Sequence, residues 1–419
     1  MKKIRIGILG AGRSATQGKS FMLAGADVVA LCDSDPKRLE KGLKKLGDSV
    51  TPYTEFDKFI RHDMDAVIIG NYFHEHAPFA IKCLEKGLHV YSECMSNGTM
   101  AEGVELVRAA EKSNAIYMLG ENFPFMIFNL QMQKICREGT LGKILYAEGE
   151  YNHPVDVFDI DFHKTYIYTL NHWRNYNSRN YYITHSVAPL MAATGATPKR
   201  VTSFACFAPY EEQDIPMARH YGDRAAIIMT QNDDDSVFKF TGCAAFGAHG
   251  DSYRICGTEG QVENLRGMGN KLMLRYNEWS KPEGMEENNL IELRWEELDK
   301  DADLIKLTGH GGADYLTARY CLNCINENRQ PDMPYDVYSA TNMASVAILS
   351  HRSMLEGGKP YDIPDFRKEA DRAQYENDRL SPYYLSDGTP PSLPCCSHPD
   401  YKPTAAQLAK FKELVLDGE

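Results

Sequence analysis

The sequence predicts a two-part α/β chain. A doubly wound domain built on a parallel sheet comes first, and an α+β domain with an open, mainly antiparallel sheet follows. Three observations predict this. Residues 1–120 alternate short apolar runs with amphipathic stretches, the rhythm of βαβ units. The first apolar run enters a glycine-rich turn. From Ile144 onward, apolar runs follow one another with only turn residues between them.

Lys2 to Leu9 reads as a buried strand that runs into Gly10-Ala11-Gly12-Arg13-Ser14-Ala15, a G-x-G-x-x-A turn. Gly10 permits the tight turn, Gly12 lets the backbone approach a pyrophosphate, and Ala15 keeps the next helix close to the strand. The helix N-terminus, with Arg13 and Ser14, presents free N–H groups to the phosphates. Asp27 to Cys32 is the second strand and ends at Asp33. An acid there, about 20 residues past the glycines, suits the ribose hydroxyls of NAD and repels the extra phosphate of NADP. Strand, turn, helix and acid in this order indicate a Rossmann domain that binds NAD; the alternative is an ordinary strand–turn–helix with no ligand.

Asp65 to Gly70 is a further strand, followed by a ligand-facing loop that starts at Asn71. His76 to Gly87 is a helix closed by glycine. Leu88 to Ser92, Met100 to Ser113 and Ala115 to Leu119 complete the domain as strand, helix and strand. The expected boundaries are 1–121 for the NAD-binding domain, 122–365 for a substrate-binding catalytic domain and 366–419 for a C-terminal extension.

In the second part, Phe125 to Glu138 is a helix and Ile144 to Asn152 a long strand. Strands follow near Val201–Ala208, Ala225–Thr230, Val237–Ala245, Ser252–Cys256, Val262–Asn264 and Lys271–Tyr276. Gln231 to Asp235 is a hairpin turn, a solvated run of acids rather than a calcium loop. Tyr315 to Asn326 and Val337 to Leu355 are helices. Thr389 to Pro394 is a stiff linker, and Thr404 caps a last helix that carries Leu408, Phe411 and Val415 on one face and docks on the body or on a neighbouring subunit. An open sheet with one apolar face favours a homo-oligomer, a dimer or a tetramer.

The composition is that of an ordinary soluble protein: 419 residues, 43% hydrophobic, 25% charged, net charge −12. The acidic balance argues against nucleic acid and against an anionic membrane surface. Met1-Lys2-Lys3 imitates a signal peptide, but Arg5 interrupts the apolar stretch and no cleavage site follows. Eleven scattered cysteines, an odd number, fit a reducing cytoplasm better than a disulfide framework. Cys321-x-x-Cys324 has no second pair and reads as buried thiols on a helix, and no metal is expected.

These pieces together resemble the Gfo/Idh/MocA oxidoreductases. The resemblance is carried by Ile6 to Ala15, Leu31-Cys32-Asp33-Ser34-Asp35-Pro36, His76-Ala77-Pro78 and Gly87 to Glu93, and spans roughly residues 1–365. Most dehydrogenases of that family carry Glu-Lys-Pro after the fourth strand, with the Lys serving hydride transfer. Here the segment is Glu93-Cys94-Met95, without the lysine. Within the family the chain is most like the NAD-dependent glycosidases of glycoside hydrolase family 109. Gly120-Glu121-Asn122, Glu148 to His153, Tyr182 to Pro189, Gly309 to Tyr315 and Asp336-Val337-Tyr338 look like that group. Ile183, Ser186 and Ala188 depart from its loop, which has a proline and two glycines at those places.

The resemblance implies catalysis without net redox change: oxidation at sugar C3, loss of the C2 proton, elimination at C1, water addition and hydride return. It makes Tyr151 the candidate C2 base and places Tyr182 and His185 at the 3-hydroxyl. Tyr182 and His185 are three apart, one face of a helical turn. An imidazole suits proton transfer there, whereas a tyrosine needs nearby positive charge to act as a base. Glu121 and Glu93 are expected to orient cofactor ribose or sugar hydroxyls. Asn71, His76 and Cys94 join the cofactor side; His153, Trp173, Arg174 and His310 join the side of a small-molecule glycoside. His310 has a plainer reading as the former of a tight loop, and Tyr166 to Tyr182 as a surface loop packed by its own aromatics. Two rival functions are a C3 dehydrogenase that releases NADH and a non-catalytic dinucleotide-sensing protein.

Overall fold

The computed structural model describes residues 3–156, 158–209, 211 and 222–416. Met1 and Lys2, the lead-in to the expected first strand, lie outside the described residues. The first sheet has six parallel strands: β1 (Arg5–Leu9), β2 (Asp27–Cys32), β3 (Thr51–Tyr53), β4 (Ala66–Ile69), β5 (His89–Ser92) and β6 (Tyr117–Leu119), in the order β3-β2-β1-β4-β5-β6. All of β4, and β1 from Ile6 on, are buried, as strands covered by helices on both faces must be. The strand order reverses between β1 and β4, so their carboxyl ends open the crevice where α/β sheets take ligands. Gly10 and Gly70 sit at those two ends, and a Cβ on Gly10 would overlap the Gly70 carbonyl.

The second sheet has nine strands: β7 (Ile144–Asn152), β8 (Pro198–Phe207), β9 (Asp223–Asn232), β10 (Val237–Ala244), β11 (Gly250–Gly257), β12 (Gly260–Asn264), β13 (Lys271–Tyr276), β14 (Asn288–Glu292) and β15 (Tyr361–Asp362). Their order is β14-β13-β12-β11-β7-β10-β9-β8-β15, antiparallel throughout except for the pair β7 and β10. The chain thus has the fold class its sequence predicts. The hairpin between β9 and β10 closes with Asn232 N–H on the Ser236 carbonyl, and Asp235 takes φ 67°. β3, β14 and β15 were not expected. β3 and β15 are only three and two residues long, and β14 is an edge strand with exposed polar positions, so none shows a buried apolar period.

Two helices set the site. Thr184–Thr194 packs on β7 and ends at Gly195, whose φ of 76° supplies the left-handed cap. Ala313–Glu327 leaves the second sheet and packs on the helix Arg13–Leu23; its Ala318, Cys321 and Leu322 share a core with Ile6 and Ile8 of β1. Cys321 and Cys324 are buried on this helix, as expected. The C-terminal helix Ala405–Leu414 is capped by Thr404, and Phe411 and Val415 pack on Ile167. Cys395 and Cys396 are packed rather than exposed, and the adjoining Pro394 carbonyl accepts from His351 Nε2 at 2.8 Å. No helix of the described residues is long and apolar enough to cross a membrane.

Candidate active site

The turn after β1 fits a dinucleotide. Gly10 has φ 97°, Gly12 has open space where a side chain would stand, and Ala15 is fully buried under the turn. No side chain caps the helix Arg13–Leu23, and its first turn carries no acid, so its N–H groups remain for an anion. Asp33 Oδ2 accepts Ala11 N–H at 2.8 Å; Oδ1 accepts Asp35 N–H at 2.9 Å and Arg38 Nη2 at 3.0 Å. These bonds aim the carboxylate at the end of β2 and leave acceptor capacity for ribose hydroxyls. Asn71 Oδ1 and His76 Nε2 are buried without partners among the described residues at the rim of the same crevice. The His76 ring is held by the Met95 carbonyl on Nδ1 at 2.8 Å, and burial lowers its pKa to about 4, so it stays neutral.

Several cofactor-side residues have further duties. Arg13 reaches across to the second half of the chain: Nη2 donates to Asp314 Oδ1 at 2.6 Å. Asn122 Nδ2 and His310 Nδ1 meet the same oxygen at 2.7 and 3.1 Å. Despite burial, His310 and Arg13 hold the Asp314 carboxyl well below the usual range. His310, expected at the substrate, is thus tied into this junction with φ 52°, the tight-loop role of its plainer reading. Ser14 Oγ donates to the Gly70 carbonyl at 3.3 Å, locking the two turns together.

Glu121, Tyr151, Tyr182 and His185 come together where the second sheet meets the first. Glu121, at the end of the crossing from β6, is fully buried; Oε1 accepts His185 Nδ1 at 2.7 Å and Phe123 N–H at 3.1 Å, and Oε2 accepts the Cys94 thiol at 3.0 Å. Both Glu121 oxygens are thus bonded inside the protein. Cys94 serves Glu121, and burial followed by the Glu121 charge keeps its thiol protonated. Burial opposes the Glu121 charge, but His185 and the hydrogen bonds from His185 and Cys94 hold its carboxyl below the ordinary value. Glu93 is the opposite case: burial pushes its carboxyl up, with Arg13 opposing. Cys94, Glu121 and His185 bring one donor atom each within 4.8 Å, the donor types of a metal site, but here Glu121 already takes a hydrogen bond from both others.

His185 sits in the first turn of Thr184–Thr194, stacked on Phe123 with centroids 3.9 Å apart. Tyr151 meets it edge-on at 4.8 Å and Tyr182 at 5.1 Å, and the two tyrosine rings are 5.9 Å apart. Tyr182 precedes the helix instead of sharing its face, so the pair forms at the entry to the helix and not along its side. Burial raises both phenols far above their ordinary value, with Tyr182 adding to the shift of Tyr151. His153 stands just past β7 on the Tyr151 side, its ring 5.7 Å from Tyr151 and 4.8 Å from His249. Trp173 is not held open for a sugar: it is buried, stacked on Phe73 at 5.1 Å with Arg174 over its ring at 4.4 Å. Phe73 in turn stacks on Tyr182 at 5.2 Å.

Sequence reasoning missed Phe73, Phe123, Tyr253 and Asp314, and on the cofactor side Arg38 with Tyr168. Arg38 stacks on the Tyr168 ring at 4.4 Å beside Asp33. Asp314 lies inside Gly309 to Tyr315, the one signal that could have pointed to it.

Comparison with known proteins agrees with both halves. Residues 4–121 match the family model described as oxidoreductase family, NAD-binding Rossmann fold. Residues 220–372 match that described as glycosyl hydrolase 109, C-terminal domain. Among curated proteins, the chain is 25% identical over 406 residues to a glycosyl hydrolase family 109 protein of Shewanella sp. (strain W3-18-1), covering 88% of this chain and 86% of that one. A protein of the same description from Shewanella pealeana (strain ATCC 700345 / ANG-SQ1) is 25% identical over 405 residues, covering 88% and 87%. Among solved structures, levoglucosan dehydrogenase in complex with NADH and levoglucosan superposes with a TM-score of 0.73 at 15% identity, covering 87% of this chain and all of that one. Aldose-aldose oxidoreductase from Caulobacter crescentus, complexed with glycerol, gives 0.64 at 16% identity, covering 86% and 100%. The structural likenesses establish the fold. Residues 4–121 are an NAD-binding Rossmann domain.

Proposed function

We propose that the chain is an NAD-dependent glycoside hydrolase that works by transient oxidation at sugar C3, elimination at C1 and water addition, with no net redox change. Its NAD-binding domain and its glycosyl hydrolase 109 C-terminal domain support an NAD-dependent enzyme acting on a glycoside or sugar. NAD, when bound, supplies the acceptor for the C3 hydride and returns it at the end.

The chain's own residues supply the proton traffic. A carboxylate can only accept, so the hydrogen bond to Glu121 puts the imidazole proton on Nδ1 and leaves His185 Nε2 free to take the proton of the 3-hydroxyl, with Tyr182 beside it. Once C3 is a ketone, the C2 proton is acidified, and Tyr151 takes it; the electron pair left on C2 expels the C1 oxygen. Burial holds Tyr151 neutral in the protein alone, so its phenolate needs a cationic neighbour, which His185, carrying the proton taken from the 3-hydroxyl, provides.

The observation that carries this reading is the meeting of Tyr151, Tyr182 and His185, with ring centroids no more than 5.9 Å apart, where the family's lysine position holds Cys94. Alcohol oxidation needs one base, whereas elimination needs a second at C2. The test is a panel of p-nitrophenyl α- and β-glycosides in deuterium oxide. Nitrophenol release with deuterium at C2 and no accumulating NADH is the expected result. A second reading, a sugar or glycoside 3-dehydrogenase, is favoured by the Glu121–His185 pair, which suffices alone for oxidation. It predicts stoichiometric NADH and a 3-keto glycoside with its aglycone attached, and that result overturns the glycosidase.

The uncovered face of the second sheet exposes Phe204 and Met229. On this reading a second copy covers it, as a dimer or tetramer; a monomer in sedimentation velocity overturns that assignment.

A further inference from the structure

We propose that Tyr168 closes the adenosine side of the dinucleotide crevice, that the C-terminal helix Ala405–Leu414 holds it there, and that together they set how fast NAD leaves. Tyr168 belongs to the second half of the chain, in the segment between β7 and the helix Thr184–Thr194. It reaches the mouth of the Rossmann domain and is fastened from behind.

The lips of the crevice are the loops after β2 and β4, which flank the glycine turn after β1. Tyr168 meets both. On one lip, Arg38 opens the helix Pro36–Leu46, lays its guanidinium over the Tyr168 ring at 4.4 Å and donates from Nη1 to the Tyr168 hydroxyl. The same guanidinium donates from Nη2 to Asp33 Oδ1 at 3.0 Å. An acid at the end of this strand takes the ribose that carries the 2′-phosphate in NADP, so the pair marks the adenosine side. Tyr168 therefore also steadies Asp33, through Arg38. On the other lip, the Tyr72 ring stands 6.3 Å from that of Tyr168. His172 meets both rings edge-on, at 4.7 Å from Tyr168 and 5.2 Å from Tyr72. A side chain that joins both lips obstructs whatever leaves between them.

The fastening comes from the residues on either side of Tyr168. Ile167 is fully buried against Phe411 and Val415, with Leu170 and Leu408 packed on the same small core. This core is separate from the two larger ones, and among its buried described residues Ile167 is the one contributed from outside the C-terminal segment. The helix thus grips this stretch of chain in particular. Asn175 Nδ2 donates to the Leu170 carbonyl at 2.9 Å and His172 N–H to the Thr169 carbonyl at 3.2 Å, so Ile167, Tyr168 and His172 move as one piece. The helix follows residue 372, where the matched glycosyl hydrolase 109 domain ends, so the grip belongs to the extension. NAD leaves when Tyr168 is off the lips, and its release scales with the fraction of molecules in that open state. Lifting the segment exposes Ile167 and parts Tyr168 from Arg38; both costs keep the open state scarce.

The test is the rate at which NADH leaves the full chain, chased with excess NAD and followed by the fluorescence of bound NADH. Tyr168→Ala should speed release about tenfold, the worth of one cation–π contact and one hydrogen bond. Tyr168→Phe, which keeps the ring and loses the hydroxyl, should fall between the two. Phe411→Ala, in the helix, should also speed release, and Val415→Ala, a smaller loss in the same core, should do so by less. Because the helix acts through the ring, Tyr168→Ala combined with Phe411→Ala should be no faster than Tyr168→Ala alone. ADP-ribose, which lacks the nicotinamide, should lose affinity in Tyr168→Ala by the same factor as NADH. Parental release in Tyr168→Ala, or in both helix variants, overturns the proposal. So do multiplying effects in the double variant, or an ADP-ribose affinity that does not change. A parent protein that binds no NADH fails the cofactor assignment itself, and the role of Tyr168 falls with it.

Discussion

His185 Nδ1 stands 2.7 Å from Glu121 Oε1 in a site where the carboxylate side chain is wholly shielded from water and the imidazole nearly so. A charge-assisted bond in such a place fixes both tautomer and ring direction. On the proposed function Glu121 is a positioning residue that acts through His185. Glu121→Gln keeps the size but offers an amide that can pair with the wrong face of the ring. Turnover should fall roughly a hundredfold or more, with KM little changed and NAD still bound, as when the orienting acid of a triad is lost. A KM effect with turnover intact would assign Glu121 to the substrate instead.

Tyr151 has a sharper signature. Tyr151→Phe leaves the ring that packs on Phe123 and His185 but removes the group assigned to C2. Exchange of the C2 proton with deuterium oxide and glycoside cleavage should fall together by about two to four orders of magnitude, the contribution of a positioned base. NAD affinity should not change. Exchange that continues at the parental rate moves the C2 base elsewhere.

Asp33 is expected to select the cofactor. Its carboxylate sits at the end of β2 with Arg38 alongside, so the acid rejects a 2′-phosphate that the guanidinium could otherwise hold. Asp33→Ser should weaken NAD about tenfold, the worth of one or two hydrogen bonds, and let NADP bind comparably. Calorimetric titration of cofactor-free protein with both dinucleotides measures this. Unchanged rejection of NADP would place the discrimination outside Asp33.

What the sequence made legible was local. Gly10, Gly12, Ala15 and Asp33 belong to one βαβ unit, where spacing along the chain is spacing in the fold. Glu121, Tyr151, Tyr182 and His185 could be named from short segments, but not the bond between Glu121 and His185, which joins residues 64 apart. Arg13 and His310 were assigned to opposite ligands, yet Asp314 ties them together, because the helix Ala313–Glu327 folds back onto the Rossmann domain. Trp173 looked like a sugar platform because a sequence cannot show that Phe73, a hundred residues earlier, covers it.

Buried neutral histidines contribute to the acid limb of stability. His351 is fully buried, bonded to the Pro394 carbonyl, and burial lowers its pKa from 6.5 to about 4. The unfolded chain binds the proton first, so this contribution is intact above the unfolded value and is lost as pH falls from there through the folded one. Between about pH 7 and pH 5, His351 alone removes roughly 2 kcal/mol, a loss that His351→Gln should not show. Urea midpoints at the two pH values measure the difference. Parallel losses in both proteins would mean that His351 protonates without cost.

Gly149 connects the strand motif to the helix that carries His185. It lies on β7, two residues before Tyr151, and a Cβ there would overlap the carbonyl oxygen of Ser186, the residue after His185. Backbone cannot swing aside as a side chain can, so Gly149→Ala must push the helix Thr184–Thr194 off the sheet or bend β7. Overpacking of this kind costs about 1–3 kcal/mol. Because the displaced turn carries His185, turnover should fall further than the lost stability explains, even at temperatures where the variant is fully folded. Gly250→Ala, on β11 with open space for the methyl group, is the control and should leave the melting temperature nearly unchanged. A Gly149→Ala protein with parental stability and turnover would show that the helix tolerates a shift at His185, and would weaken the claim that this distance matters to catalysis.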